Sequence, residues 1–161
     1  MMVDEVCLNE ALLAGATEVF ETMIFMDVRA SDEKEQHPKG NTLLGSITFT
    51  GEMEGCLGIC CSVSCAKAIA QNMLGLTKAE ELDEAEITDA IGEVANMVMG
   101  SVKSRIQETV GNLNVSIPTV VRGRSLDNSL GDHPNPTRKT LMRLNIADEY
   151  TAELSLWHRQ S

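Results

Sequence analysis

Residues 43–62, LLGSITFTGEMEGCLGICCS, hold two β-prone runs, Leu43–Thr50 and Cys56–Ser62, joined by Gly51-Glu52-Met53-Glu54-Gly55. Two short apolar runs around a glycine-bounded joint predict a β-hairpin. Upstream, Asn9 is a plausible cap, and Ala11–Phe25 keeps apolar residues at helical spacing without proline, which predicts a first helix. Between helix and hairpin, residues 29–40 (RASDEKEQHPKG) are charged and contain Pro38 and Gly40, so they read as a solvated loop.

Downstream, Ser62 or Ser64 is placed to cap a helix over Cys65–Leu74, which Gly75 ends. Thr77 opens a short acidic turn. From about Glu84 to Val110 runs the longest helical pattern in the chain, closed by Gly111. Asn114–Arg122 is the next strand, interrupted by Pro118, and residues 123–137 (GRSLDNSLGDHPNPT) read as a loop. Thr140–Ile146 and Tyr150–His158 alternate apolar and polar residues around Asp148-Glu149, a second hairpin that carries the single tryptophan, Trp157.

This order predicts an α+β fold, an antiparallel β-sheet with long helices packed on it. A repeat is also visible. Laying residues 17–23 (TEVFETM) over 92–98 (GEVANMV) aligns Glu18 with Glu93 and Val19 with Val94, each in a long helix followed by a hairpin. The expectation is a pair of pseudo-duplicated αββ halves within one domain, residues 1–161.

At 161 residues the chain is long enough to bury a core of its own. Apolar residues make up 43% of it, but Phe, Trp and Tyr together contribute only 3%, so aliphatic residues and nine methionines must build that core. The net charge of −11 repels the phosphate backbone of nucleic acids and anionic membrane surfaces, and neither is expected as a partner. No apolar run approaches the ~18 residues of a membrane span, and the first ten residues carry acids where a signal peptide carries Lys or Arg. A cytoplasmic protein is expected. Five cysteines at 7, 56, 60, 61 and 65 match neither a zinc knuckle nor a Cys-x-x-Cys pair, and the three histidines are scattered. They read as reduced, buried apolar residues, with a metal or redox role as the rival, and no metal site is expected.

On the long helix, at about 100° per residue, Ile87, Ile91, Val94, Val98 and Val102 fall on one side and Asp89, Glu93, Asn96, Gly100 and Lys103 on the other. The first set is core. The second stands an acid, an acid and an amide on neighbouring turns, flanked by Gly92, Ala95 and Gly100, whose lack of bulk lets another surface approach the backbone. A polar stripe opposite an apolar one is commonly only a solvated face. A merely solvating face normally carries Lys, Arg and Glu, whereas this one includes Asn96 and Gly100. Its glycines also each lower helix stability by roughly 0.8–1 kcal/mol relative to Ala.

The run Asp89-x-x-x-Glu93-x-x-Asn96, followed by Gly100 and by Pro118 in the next strand, resembles the signature of the CheC, CheX and FliY chemotaxis phosphatases, in which the proline stands one residue farther along. CheC-type members carry the motif in two helices. Here the first helix has Ala14 and Glu21 where the second has Asp89 and Asn96, and a carboxylate cannot donate the hydrogen bond an amide can, so that site should be silent. One complete site resembles CheX, whose members form homodimers.

The resemblance implies hydrolysis of the phospho-aspartate of a CheY-like response regulator. Asn96 would hold the attacking water in line with phosphorus, and Glu93 would pair with the regulator's lysine and set the docking register. Asp89, Gly92, Gly100 and Lys103 would line the partner-facing surface, Asp89 at its edge, as a brace or as a merely solvated acid. Pro118 would be structural, holding a strand start or bulge beneath the site. No cofactor of its own is implied, and Mg²⁺ belongs to the partner regulator. The alternative is a binding module that docks a response regulator or flagellar-switch partner without hydrolysis.

Overall fold

A computed structural model describes residues 5–31, 38, 40–77, 81–124, 126 and 136–160. Its elements are α1 (Glu5–Val19) running into a π-helical turn (Phe20–Ile24), β1 (Val28–Ala30), β2 (Thr42–Gly51), β3 (Met53–Ser62), α2 (Val63–Met73), α3 (Glu84–Val110), β4 (Leu113–Val115), β5 (Thr119–Gly123), β6 (Arg138–Ile146) and β7 (Tyr150–Gln160). The fold is α+β, as the sequence predicts. Every strand pairing is antiparallel, in the order β1-β6-β7-β3-β2-β4, with β5 also on β2.

That order has an internal symmetry. The hairpins β2–β3 and β6–β7 meet at the centre, where Ile59 lies opposite Leu154. The short strand of each half crosses to the other: β1 pairs with β6, and β4 and β5 pair with β2. The first half is therefore an α-β-β-β unit, and the second matches it if β4 and β5, which flank Pro118 and both pair with β2, count as one divided strand, rather than the αββ units expected. The missing strand is β1, since Arg29 and Ala30 pair with Asn145 and Leu144 instead of opening the charged loop.

Strand alternation decides which residues meet the helices. Leu43, Ile47 and Phe49 of β2, Leu57, Ile59 and Cys61 of β3, Leu144 and Ile146 of β6, and Ala152, Leu154 and Leu156 of β7 join one apolar core with α1, α2 and α3. Gly45 faces the same way. A Cβ there would stand 3.0 Å from Ile91 Cγ2 and 3.2 Å from the Ile91 carbonyl, so the glycine lets α3 lie directly on β2.

Local chemistry sets the helix ends. Ser62 caps α2, its hydroxyl accepting from the Cys65 amide at 3.1 Å. Asp83 and Glu86 form a capping box on α3, with the Glu86 amide donating to Asp83 Oδ1 at 2.8 Å and the Asp83 amide to Glu86 Oε1 at 3.3 Å. Gly111, at φ 77°, ends α3. Asn9, expected as a cap, lies inside α1, which begins upstream at Glu5. The first helix stops before Phe25, which takes a left-handed φ of 63° and donates its amide to the Phe20 carbonyl. Residues 125 and 127–135 of the expected 123–137 loop lie outside the described residues.

Candidate functional site

Helix α3 buries Ile87, Ala90, Ile91, Gly92, Val94, Ala95, Val98, Met99, Val102, Ile106 and Val110. At about 1.5–3 kcal/mol for each fully buried large apolar side chain, that contact far exceeds the propensity cost of its glycines and asparagine. The helix is thus fixed by its core side, and its opposite side is free to carry residues chosen for something else. Asp89, Glu93, Asn96 and Gly100 are exposed there, and Lys103 is half-buried. Among the described residues none of Asp89, Glu93, Asn96 and Lys103 makes a side-chain hydrogen bond or ion pair. Three residues apart on a helix, Glu93 and Asn96 stand about 5–6 Å from one another.

Two of the expected small flanking residues do different work. Gly92 is buried, and a Cβ on it would stand 3.4 Å from Val120 Cγ2 and 3.6 Å from Pro118 Cγ. The surface approaching the helix at Gly92 is therefore the chain's own β4–β5 segment and not a partner, because position 92 is turned about 100° from Glu93. Ala95 is likewise buried, with its Cβ 3.6 Å from where a Cβ on Gly45 would be. Gly100 has nothing within 4 Å of a Cβ position and stays open to solvent. Pro118 separates β4 from β5, and Arg122 Nη1 holds β5 to the start of α3 through Glu84 Oε1 at 2.6 Å.

The corresponding face of α1 is built differently. Glu18 Oε2 is ion-paired with Arg105 Nη2 of α3 at 2.7 Å, and Ser101 Oγ donates to Glu18 Oε1 at 3.3 Å. Ala14, Glu18, Glu21 and Arg105 line one shallow groove. Three carboxylates, Glu10, Glu18 and Glu21, line this groove, the arginine already engages Glu18, and no side-chain amide stands there as a counterpart of Asn96. Periodicity alone did not show Arg105, which comes near Glu18 only once α1 and α3 pack.

The cysteines divide by strand geometry. Cys56 and Cys60 point to the sheet face away from the helices, whereas Cys61 points to the helix side and meets Cys65 at the start of α2. The side-chain hydrogen bond shared with Cys65, together with burial, pushes the Cys61 thiol well above its ordinary pKa, so it holds its proton. None of the five cysteines forms a disulfide. Among the described residues no group of three or more His, Cys, Asp and Glu could hold a metal ion, and His37 and His133 lie outside those residues. No helix among the described residues is long and apolar enough to cross a membrane.

Solved chemotaxis proteins share this arrangement of one sheet with helices packed on it. The CheX chemotaxis protein of Vibrio vulnificus superposes with a TM-score of 0.73 at 25% identity, covering 98% of this chain and 99% of that one. The CheX of Borrelia burgdorferi, solved in a complex with CheY, BeF3 and Mg²⁺, has the same fold, with a TM-score of 0.75 at 16% identity over 99% of this chain and 100% of that one. The family model "Chemotaxis phosphatase CheX" matches residues 43–134, and the chain belongs to that family. A curated relative, the CheY-P phosphatase CheX of Thermotoga maritima, is 33% identical over 86 residues, which is 53% of this chain and 55% of the relative. The match thus spans about half the length of that relative.

Proposed function

We propose that this chain hydrolyses the phospho-aspartate of a CheY-type response regulator, with Asn96 positioning the attacking water and Glu93 docking the regulator. The observation that carries the reading is the exposure of both side chains, without partners among the described residues, on one face of a helix whose other face is locked into the core. Groups held ready and unpaired on a rigid element are suited to meet something brought from outside. The name of the Thermotoga relative and the presence of CheY in the Borrelia complex point to what that is.

The reaction needs little from this chain beyond placement. Water oxygen attacks phosphorus, the bond from phosphorus to the aspartate oxygen breaks, and the products are a carboxylate and inorganic phosphate. In phosphoryl transfer the protein mainly positions groups and stabilises charge. The Asn96 carboxamide donates through NH₂ and accepts through its oxygen, so it can hold a water along the line of attack. The Glu93 carboxylate, about one turn away, pairs with a lysine of the regulator and fixes the register. Mg²⁺ on the regulator supplies charge neutralisation at the phosphoryl oxygens, and no residue of this chain is assigned to it. Asp89, Gly100 and Lys103 line the rest of the docking face.

The reading carries two further expectations, a homodimer and, from the substrate, a cytoplasmic location. The sheet ends in β1 on one side and in β4 and β5 on the other, which leaves edges where a second copy could pair. Sedimentation at micromolar concentration tests the dimer. The function is tested by following phosphoryl loss from a phosphorylated CheY-type regulator with and without the protein. Faster loss supports the reading, and a complex that leaves the phosphoryl lifetime unchanged makes the protein a binding module.

A further inference from the structure

We propose that Ile117 is the apolar anchor of the docking face, seating in an apolar depression of the receiver domain beside its phosphorylated aspartate. The inference rests on the reading of Glu93 and Asn96 above. Ile117 is 85% exposed, more than any other large hydrophobic residue described. A single exposed aliphatic side chain is ordinary in itself. This one is distinguished by how firmly it is presented and by where.

Its backbone is clamped on both sides. The Ser116 amide donates to the Thr48 carbonyl at 2.9 Å, the Thr48 amide donates back to Ser116 Oγ at 3.0 Å, and that hydroxyl donates to the Ile117 carbonyl at 3.0 Å. The next residue, Pro118, rests on Gly92 of α3, and Arg122 ties the following strand to Glu84. Ile117 thus directly precedes the proline that lies against Gly92, and Glu93 directly follows that glycine, so the segment that carries Ile117 packs on the helix that carries the stripe. A β-branched side chain has few rotamers, so little freedom is lost when a partner covers it.

The stripe also lacks what Ile117 offers. Asp89, Glu93, Asn96, Gly100 and Lys103 supply charge, register and a water-holding amide, but no apolar group. Interfaces draw most of their affinity from a few well-desolvated anchors, while charged contacts set orientation. With Ile117 the face becomes an apolar knob beside a carboxylate. The surface that fits it is a receiver domain with an apolar recess next to the lysine that Glu93 reaches.

The test measures hydrolysis and binding of a phosphorylated CheY-type regulator by the wild type, Ile117→Ser, Ile117→Val and Asn96→Ala. The expected result for Ile117→Ser is a rise of about tenfold or more in KM and Kd with kcat within about twofold of wild type. Ile117→Val should restore most of the binding, and Asn96→Ala should show the opposite pattern, a lost kcat with binding kept. Melting temperatures of the two Ile117 variants serve as folding controls, since the side chain has almost no contact to lose. If the wild type is active and Ile117→Ser matches it in KM and Kd, or loses kcat alone, the inference is overturned while the functional reading stands. If the wild type leaves the phosphoryl group untouched, the functional reading fails and the inference goes with it.

Discussion

Arg105 reaches from α3 to α1 and holds Glu18 at 2.7 Å, whereas Glu93, the residue aligned with Glu18 in the other half of the molecule, has no partner among the described residues. The halves share their burial pattern: Leu12, Ala16 and Val19 are buried as Ile87, Ile91 and Val94 are, and Glu18 and Glu21 are exposed as Glu93 and Asn96 are. The exposed positions differ in chemistry. One half keeps a free carboxylate with an amide, and the other has closed its carboxylate with an arginine.

That difference predicts one regulator bound per chain, measured by calorimetric titration; two per chain would mean that the α1 face also docks. Arg105→Ala should leave hydrolysis unchanged. The pair is 35% and 55% exposed, so its loss should lower unfolding free energy by no more than about 1 kcal/mol in a denaturant titration.

Gly55 and Gly92 should respond oppositely to alanine. A Cβ on Gly55 would overlap the Trp157 carbonyl oxygen and meet Phe49 Cζ, so Gly55→Ala is expected to cost about 3 kcal/mol or more. On Gly92 the nearest atom is an ordinary 3.4 Å away, and the helix gains up to about 1 kcal/mol from the better helix former. Because Gly92 faces Pro118 and Val120, Gly92→Ala should hydrolyse like wild type; a large loss would return that position to the partner-facing surface.

The thiols give a pH signature. The Cys65 hydrogen bond and burial raise the Cys61 pKa above its ordinary 9.0, so the folded state holds this proton more tightly than the unfolded chain does. The resulting stability is present below pH ~9 and is lost as pH rises beyond it toward the folded value. Melting temperature should therefore fall above about pH 9, and less steeply in Cys61→Ala. In the native protein a thiol reagent should label exposed Cys7, with the buried Cys56, Cys60, Cys61 and Cys65 reacting only on unfolding.

Much of the fold was legible because its signals are local. The span of α3, its closing Gly111, the two hairpins and the break at Pro118 all follow from periodicity and turn residues within a few positions of one another. What escaped depends on distant partners. The strand Val28–Ala30 has three residues, one of them charged, and is a strand only because β6 lies beside it. Asn9 has a capping side chain, but the helix was already under way. The stripe itself was readable from spacing, although Gly92 was assigned to it when packing turns that position toward β5. Ile117 left no signal, since an isoleucine before a proline in a strand-like run reads as one more buried residue.

Glu93 should matter to docking and rate together. Losing one partner of a charge pair desolvated at an interface costs about 2 kcal/mol or more, so Glu93→Gln should weaken regulator binding by roughly 30-fold. Part of that loss should shrink as salt is raised, because exposed charge attraction is screened. Titrating wild type and variant against the regulator at two ionic strengths checks this, and equal affinities would remove Glu93 from the docking contact.

The most direct test of the account is single-turnover phosphoryl loss from a phosphorylated CheY-type regulator, measured with the wild type and with Asn96→Ala while binding is followed in parallel. An exposed carboxamide that orients the attacking water should contribute about 100-fold or more to the rate. The account predicts that Asn96→Ala loses at least that much acceleration while binding the regulator within a few-fold of wild type. An Asn96→Ala variant that dephosphorylates as fast as the wild type would contradict it.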